Sequence, residues 1–296
     1  NFEIDTIFND IGMITDAKWE DMDGDGLKDL ITCGDWNSIN IYYNKGNNFI
    51  KDKKFIGNQI FGWWFSLEIA DINNDGKMDI IAGNVGVNNK LKPSKTDPVK
   101  MYINDFDQNG IFEHVLTYTK NKKEYPISNK DELTKELNYL KREFFYYKDF
   151  AGLEIHDIFP RDILENSKLL YANNFSSLCF INKGENFDVI ELPLYSQISS
   201  IRDIQILDFN KDEKKDLLLV GNNSSVSTYF GSFESSYGIL LEGIGDGTFK
   251  YVNQNESGLN LRGDVTKVLP LDKNKSKFVF GINDRKISVF SLKNEN

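Results

Sequence analysis

Strand-length runs rich in apolar residues recur along this chain. Ile201 to Leu207, Leu217 to Val220, Met101-Tyr102-Ile103 and His114 to Tyr118 are each bounded by turn-forming residues, mostly Gly, Asn and Asp. Runs of this kind predict an all-β chain of many short strands. One stretch breaks the pattern. Leu133, Leu137, Leu140 and Phe144 fall at i, i+4, i+7 and i+11, the stripe of an amphipathic helix, and Ser128 with Asp131 has the spacing of a capping box. A short helical insertion is therefore expected over about 120–167, either covering a flank of the β-structure or serving as a docking arm.

The turns between runs repeat a chemical pattern. Oxygen-bearing side chains occupy positions 1, 3, 5 and 9 of four loops: Asp21, Asp23, Asp25, Asp29; Asp71, Asn73, Asp75, Asp79; Asp105, Asp107, Asn109, Glu113; and Asp208, Asn210, Asp212, Asp216. Alternate residues of a tight loop converge on one point. The carbonyls at position 7 (Leu27, Lys77, Ile111, Lys214) add a further oxygen, and glycine at position 6 permits the turn. Such a set of hard oxygens suits Ca²⁺ better than Mg²⁺, which keeps its waters and demands octahedral geometry. A single copy can also be read as a solvated Asp/Asn turn; four in phase point to a cation. An EF-hand is excluded, because position 12 holds Thr32, Ala82, Leu116 and Leu219 where it needs Glu, and strand-like runs flank the loops.

A second recurring element is a glycine hairpin closed by an aromatic: Asn44-Lys45-Gly46 to Phe49, Asn182-Lys183-Gly184 to Phe187, and Gly243 to Phe249. On these residues the chain resembles FG-GAP/VCBS-repeat β-propeller proteins with integrin-α-like calcium loops. Within them it is most similar to cartilage-acidic-protein-like surface proteins of Bacteroidetes, and the likeness extends through Lys123 to Pro126 and Phe150-Ala151-Gly152. The resemblance implies a propeller of about five four-stranded blades in a single domain, complete or part of a larger ring. It departs from the family at Glu213, where glycine is usual, and at Asp272-Lys-Asn274-Lys-Ser276, where Phe280 stands at position 9 and no metal is expected.

The blades are expected at 13–56, 64–119, 168–192, 201–252 and 264–291, with the Asp105 loop in the outer hairpin of blade two. A spare strand from Phe2 to Phe8 either completes blade five or belongs to a preceding blade. Strand parity puts all four acidic loops at one face. The opposite face then carries the recognition candidates Trp36, Trp63, Asn84, Asn173 and Asn222, unless the tryptophans pack between blades.

Composition narrows the function. The chain has 296 residues and a net charge of −10, which argues against nucleic-acid binding. Four divalent ions add eight positive charges and take −10 to −2, so metal binding is expected to support folding. Cys33 and Cys179 are too few for a disulfide scaffold and read as small hydrophobes in strands. No apolar stretch is long enough to span a membrane. His114 and His156 are the only histidines, and neither a nucleophile elbow nor a phosphate-cradling loop is present. The expectation is a non-catalytic binding or scaffold module at an extracellular or outer-membrane surface, with a protein or glycan partner. A carbohydrate-active propeller enzyme such as a polysaccharide lyase, and a structural subunit of an outer-membrane assembly, are the alternatives.

Overall fold

The structure is a computed structural model that describes residues 8–226, 231 and 233–293. The expected strand from Phe2 lies outside the described residues up to Phe8, whose ring packs 5.4 Å from Tyr42 and 5.1 Å from Phe49. The chain is all-β with a few short helices, and every strand pairing is antiparallel. It divides into two compact units, Asn1–Asn89 with Phe175–Asn296, and Lys90–Asn174.

The larger unit contains four sheets of the expected meander. Sheet one comprises Asp16–Glu20, Asp29–Cys33, Asn40–Asn44 and Phe49–Lys51. Sheet two comprises Ser66–Ala70, Asp79–Gly83, Leu178–Asn182 and Phe187–Glu191. Sheet three comprises Ile201–Leu207, Asp216–Gly221, Ile239–Gly243 and Phe249–Val252, and sheet four Val265–Pro270, Lys277–Ile282 and Ser288–Ser291. A small ribbon pairs Asp35–Ser38 with Phe61–Trp63.

The period of two along each strand explains how the sheets stack. Asp79–Gly83 is buried along its whole length, because both of its faces are covered. Ile80 and Ala82 join Ile31, Cys33 and Ile41 of sheet one in one core cluster. Ile81 points the other way and joins Leu217, Leu219 and Ile239 of sheet three. Leu218 and Val220 on the reverse of sheet three meet Val268, Phe278 and Phe280 of sheet four. Each sheet is thus glued to the next by an apolar layer, with buried side chains worth roughly 1.5–3 kcal/mol apiece. Both cysteines are free and buried in separate layers, as the expected small hydrophobes, and burial raises both thiol pKa values, Cys33 to about 12.

Two expected blades are corrected. Residues 64–119 and 168–192 do not form separate sheets. Leu178, Cys179 and Phe180 pair with Ala82, Ile81 and Ile80, so the expected third blade supplies the outer half of the second. The smaller unit lies in the chain between those halves. Its own sheet orders Lys123–Pro126, Glu113–Lys120, Val99–Asn104 and Lys168–Ala172, and holds the Asp105 loop as the hairpin between Val99–Asn104 and Glu113–Lys120. The sequence showed the hairpin but assigned it to the wrong sheet, because hairpin signals are local and this sheet's other partner strand arrives at Lys168.

The helical stripe is also broken into turns: Lys130–Glu136, Leu140–Glu143 and Tyr147–Phe150, followed by Ile155–Ile158 and Arg161–Glu165. The capping box forms at Asn129 with Glu132, one residue beyond the expected Ser128 and Asp131. Leu133, Leu137 and Leu140 pack with Tyr102, Phe106 and Val115, so the stripe builds a core on the smaller unit's own sheet.

Candidate functional site

The four acidic loops share one hydrogen-bond scheme. The position-1 carboxylate accepts backbone N–H groups on both oxygens: Asp21 from Gly24 (2.7 Å) and Gly26 (2.8 Å), and Asp71 from Asp75 (3.0 Å) and Gly76 (2.8 Å). Asp105 holds Asn109 and Gly110, and Asp208 holds Asp212 and Glu213, in the same way. Position 3 (Asp23, Asn73, Asp107, Asn210) accepts from the position-5 N–H. Position 5 (Asp25, Asp75, Asn109, Asp212) accepts from position 7 (Leu27, Lys77, Ile111, Lys214). These chained Asx turns curl the backbone around its own carboxylates.

Position 6 needs a left-handed backbone. Gly26, Gly76 and Gly110 have φ of 84°, 84° and 89°, and Glu213 is forced to 67°. A non-glycine residue there costs about 1 kcal/mol or more. Glu213→Gly is therefore expected to stabilise the protein by about 1 kcal/mol, less the entropy glycine adds to the unfolded chain. An unchanged or lowered denaturation midpoint would count against strain at this turn.

Position 9 works differently from the others. Asp29, Asp79 and Asp216 are fully buried. One oxygen of each accepts the position-2 N–H, from Met22 (2.8 Å), Ile72 (2.8 Å) and Phe209 (2.9 Å). The other accepts an N–H from the end of the third strand, at Asn44 (2.8 Å), Asn182 (2.7 Å) and Gly243 (2.8 Å). Burial pushes these three carboxyls above the usual range, against the pull of the donated N–H groups. Glu113 reproduces half of this in the smaller unit by accepting from Phe106 (3.0 Å).

The staple explains why the two sequence signatures travel together. Asn44 and Asn182, which open the glycine hairpins, donate side-chain N–H groups to Lys28 and Met78 carbonyls and accept from Gly46 and Gly184. Acidic loop and glycine hairpin are thus one hydrogen-bonded corner. Lysines complete it: Lys45 Nζ lies 2.7 Å from Asp23 and 2.9 Å from Asp25. The Lys45 ammonium, with the Leu27 N–H, holds the exposed Asp25 carboxyl low. Lys77 and Lys214 stand 3.7 Å and 3.3 Å from Asp75 and Asp212. Lys45 was missed in the sequence because it is 22 positions from Asp23.

The donor chemistry fits a hard cation. In the first loop oxygens of Asp21, Asp23 and Asp29 lie within 4.8 Å of one another, as do those of Asp105, Asp107 and Glu113 in the third. That is about twice a Ca–O bond of roughly 2.3–2.6 Å. The second and fourth loops carry a neutral amide at position 3 (Asn73, Asn210), and no three-acid group of this kind forms in them among the described residues.

Of the recognition candidates, Asn84 and Asn222 are buried and hold the chain together instead of facing a ligand. Asn84 accepts from Trp63 and Val85 N–H and donates to Ser176 O. Asn222, at φ 90°, joins Ser199, Ser236 and Gly263. Long loops need their inner polar groups satisfied, and a buried amide offers both a donor and an acceptor. Trp63 is buried with its ring 4.5 Å from Phe175 and 5.2 Å from Trp36. Trp36 and Asn173 remain half-buried. Asp264 is also buried and accepts from the Ser224 N–H and hydroxyl, which ties the loop after Asn222 to the start of sheet four.

Among solved structures, the chain is similar to the Vibrio cholerae biofilm matrix protein Bap1, with 8% identity and a TM-score of 0.31 over 95% of this chain and 63% of that one. It is also similar to an Agrocybe aegerita lectin described as recognising non-reducing terminal N-acetylglucosamine, with 12% identity and a TM-score of 0.22 over 95% of this chain and 81% of that one. At these scores neither fixes the fold. No curated protein sequence matches. The narrower likeness to cartilage-acidic-protein-like proteins of Bacteroidetes is not supported. The family model for the FG-GAP-like repeat matches residues 21–82, so such a repeat spans the first two acidic loops and the strands between them.

Proposed function

We propose that this chain is a calcium-stabilised extracellular β-propeller, or a piece of one, acting as a non-catalytic binding or scaffold module for a protein or glycan at a cell surface. The observation that carries the reading is the FG-GAP-like repeat at 21–82, whose loop geometry recurs in the loops at Asp105 and Asp208. Four sheets in chain order, each packed on the next, support blades. Asp21, Asp23, Asp25 and Asp29 would hold one ion, and Asp105, Asp107, Asn109 and Glu113 another. Bound Ca²⁺ would supply charge neutralisation at these corners and no reaction chemistry. The two loops with Asn at position 3 would bind more weakly, through Asp71, Asp75 and Asp79 and through Asp208, Asp212 and Asp216.

The test is a thermal melt of protein first shown to be metal-free. Extracellular-type sites have dissociation constants on the order of 10⁻⁴–10⁻³ M. With free calcium near 10 mM, each occupied site then adds about 1.4–2.7 kcal/mol to stability. Calcium should raise the melting temperature more than magnesium does, and Asp21→Ala should remove part of that gain. A melting curve that calcium leaves unmoved would reduce the loops to plain turns.

A further inference from the structure

We propose that a cleft in the smaller unit binds an anionic oligosaccharide, one carrying uronate or sulfate groups. The proposal names a ligand class for the glycan reading above but uses none of the acidic loops.

The cleft has a volume of about 520 Å³ and runs between the hairpin at 113–126 and the helices that begin at Lys130 and Tyr147. That volume lies within the roughly 300–1,000 Å³ of small-ligand sites. On a chain of net charge −10, its lining includes Lys120, Lys123 and Lys130 and not one carboxylate. Tyr118 and Tyr125 face each other across the hairpin with ring centroids 5.8 Å apart and planes tilted by 34°. They offer a broad aromatic wall, and Tyr147 adds a third ring. The C–H-rich face of a pyranose packs on such rings while its hydroxyls stay hydrated or bond to amides.

The lysines carry an independent argument. Lys120 and Lys123 are direct cross-strand partners next to the turn formed by Asn121 and Lys122, with φ of 54° and 64°. Like charges directly opposite one another destabilise a hairpin. Glu154 relieves one of them, at 2.7 Å from Lys123. Among the described residues, Lys120 makes no ion pair, and its charge is left for an arriving anion. Lys130 is held 5.0 Å above the Tyr147 ring and 3.2 Å from Asp131, which lies outside the lining. The Lys130 side chain is only 12% exposed, and Asp131 also accepts the Tyr147 hydroxyl, so these groups hold one wall of the cleft and Lys120 is the cation that stands beside the Tyr118 and Tyr125 rings. A phosphorylated peptide would use the lysines but leave the aromatic wall without a partner of matching shape.

The experiment is calorimetric titration of the full chain with an oligogalacturonate, a heparin-derived oligosaccharide and a neutral malto-oligosaccharide of similar length, in low and high salt. At least one acidic probe should bind, at least tenfold more tightly than the neutral one and more weakly in high salt. Lys120→Glu and Tyr125→Ala should each weaken it about tenfold or more, while Lys250→Glu, an exposed change elsewhere, should not. Lys120→Glu places opposite charges across the hairpin, so its melt should show a fold at least as stable. The uronate and sulfate arms identify the anion. Failure of both acidic probes, equal binding of the neutral sugar, or unchanged binding in Lys120→Glu overturns the proposal. A calcium-dependent melt alongside any of those results leaves the calcium-module reading standing.

Discussion

Asp79→Ala should lower the unfolding free energy by about 4 kcal/mol, with the denaturant midpoint falling and the slope unchanged. The carboxylate is fully buried and holds the N–H groups of Ile72 and Asn182, both themselves buried. Each such bond to a charged acceptor contributes about 1.5–3 kcal/mol, and its loss leaves a donor without a partner. Asp79→Asn should cost less, since one oxygen remains while the amide NH₂ faces the second N–H. The effect should persist in EDTA, which separates the staple from any cation. A loss below about 1 kcal/mol in both variants would mean that the corner is held by its apolar neighbours alone.

Gly221→Ala should cost about 3 kcal/mol or more, for a different reason. A Cβ on Gly221 would stand 1.6 Å from the Ser200 carbonyl oxygen, and that oxygen already accepts the Asn222 N–H at 3.1 Å. Relief requires the backbone to part where strand Ile201–Leu207 enters the sheet, and overpacking of this kind costs typically 1–3 kcal/mol before any hydrogen bond is lost. The Asn222 amide network would be disturbed with it. Gly46→Ala is the matched control: its neighbourhood is open, so it should cost only the price of its φ of 81°. Equal effects at the two positions would remove the steric argument.

Strands and acidic loops were legible because their signals are local. Asp29–Cys33 and Asp79–Gly83, apolar at most positions, read as strands covered on both faces and are buried throughout, whereas the alternation of Asp16–Glu20 misleads, because Trp19 is 53% exposed and the polar residues take the more covered side. Strand partners were not legible where the chain leaves a sheet and returns. Nothing in Leu178–Asn182 marks Asp79–Gly83, rather than a nearer strand, as its partner. The amides of Asn84 and Asn222 misled for a related reason. A polar residue after a strand reads as surface, yet here the long excursions that follow put it inside, where it satisfies the loop. In the sequence, position 9 has the look of a metal ligand alone. The apolar residues that follow it, Leu30, Ile80 and Leu217, are the signal that its carboxylate would be drawn into the interior.

The division of sheet two bears on the order in which the molecule assembles. Asp79 and Asn182 are 103 positions apart, so their bond closes a long loop in an unfolded chain. Val99 and Ala172 are direct partners in the inserted sheet, and once that sheet forms most of the intervening chain is already gathered up. The entropy saved is only about 1 kcal/mol, because closure cost grows with the logarithm of length. Its weight is kinetic: the smaller unit should precede sheet two. During synthesis, the free edge of Asp79–Gly83 must wait until Leu178–Asn182 has been made. Until then that strand, apolar on both faces, is an open edge exposed to mispairing.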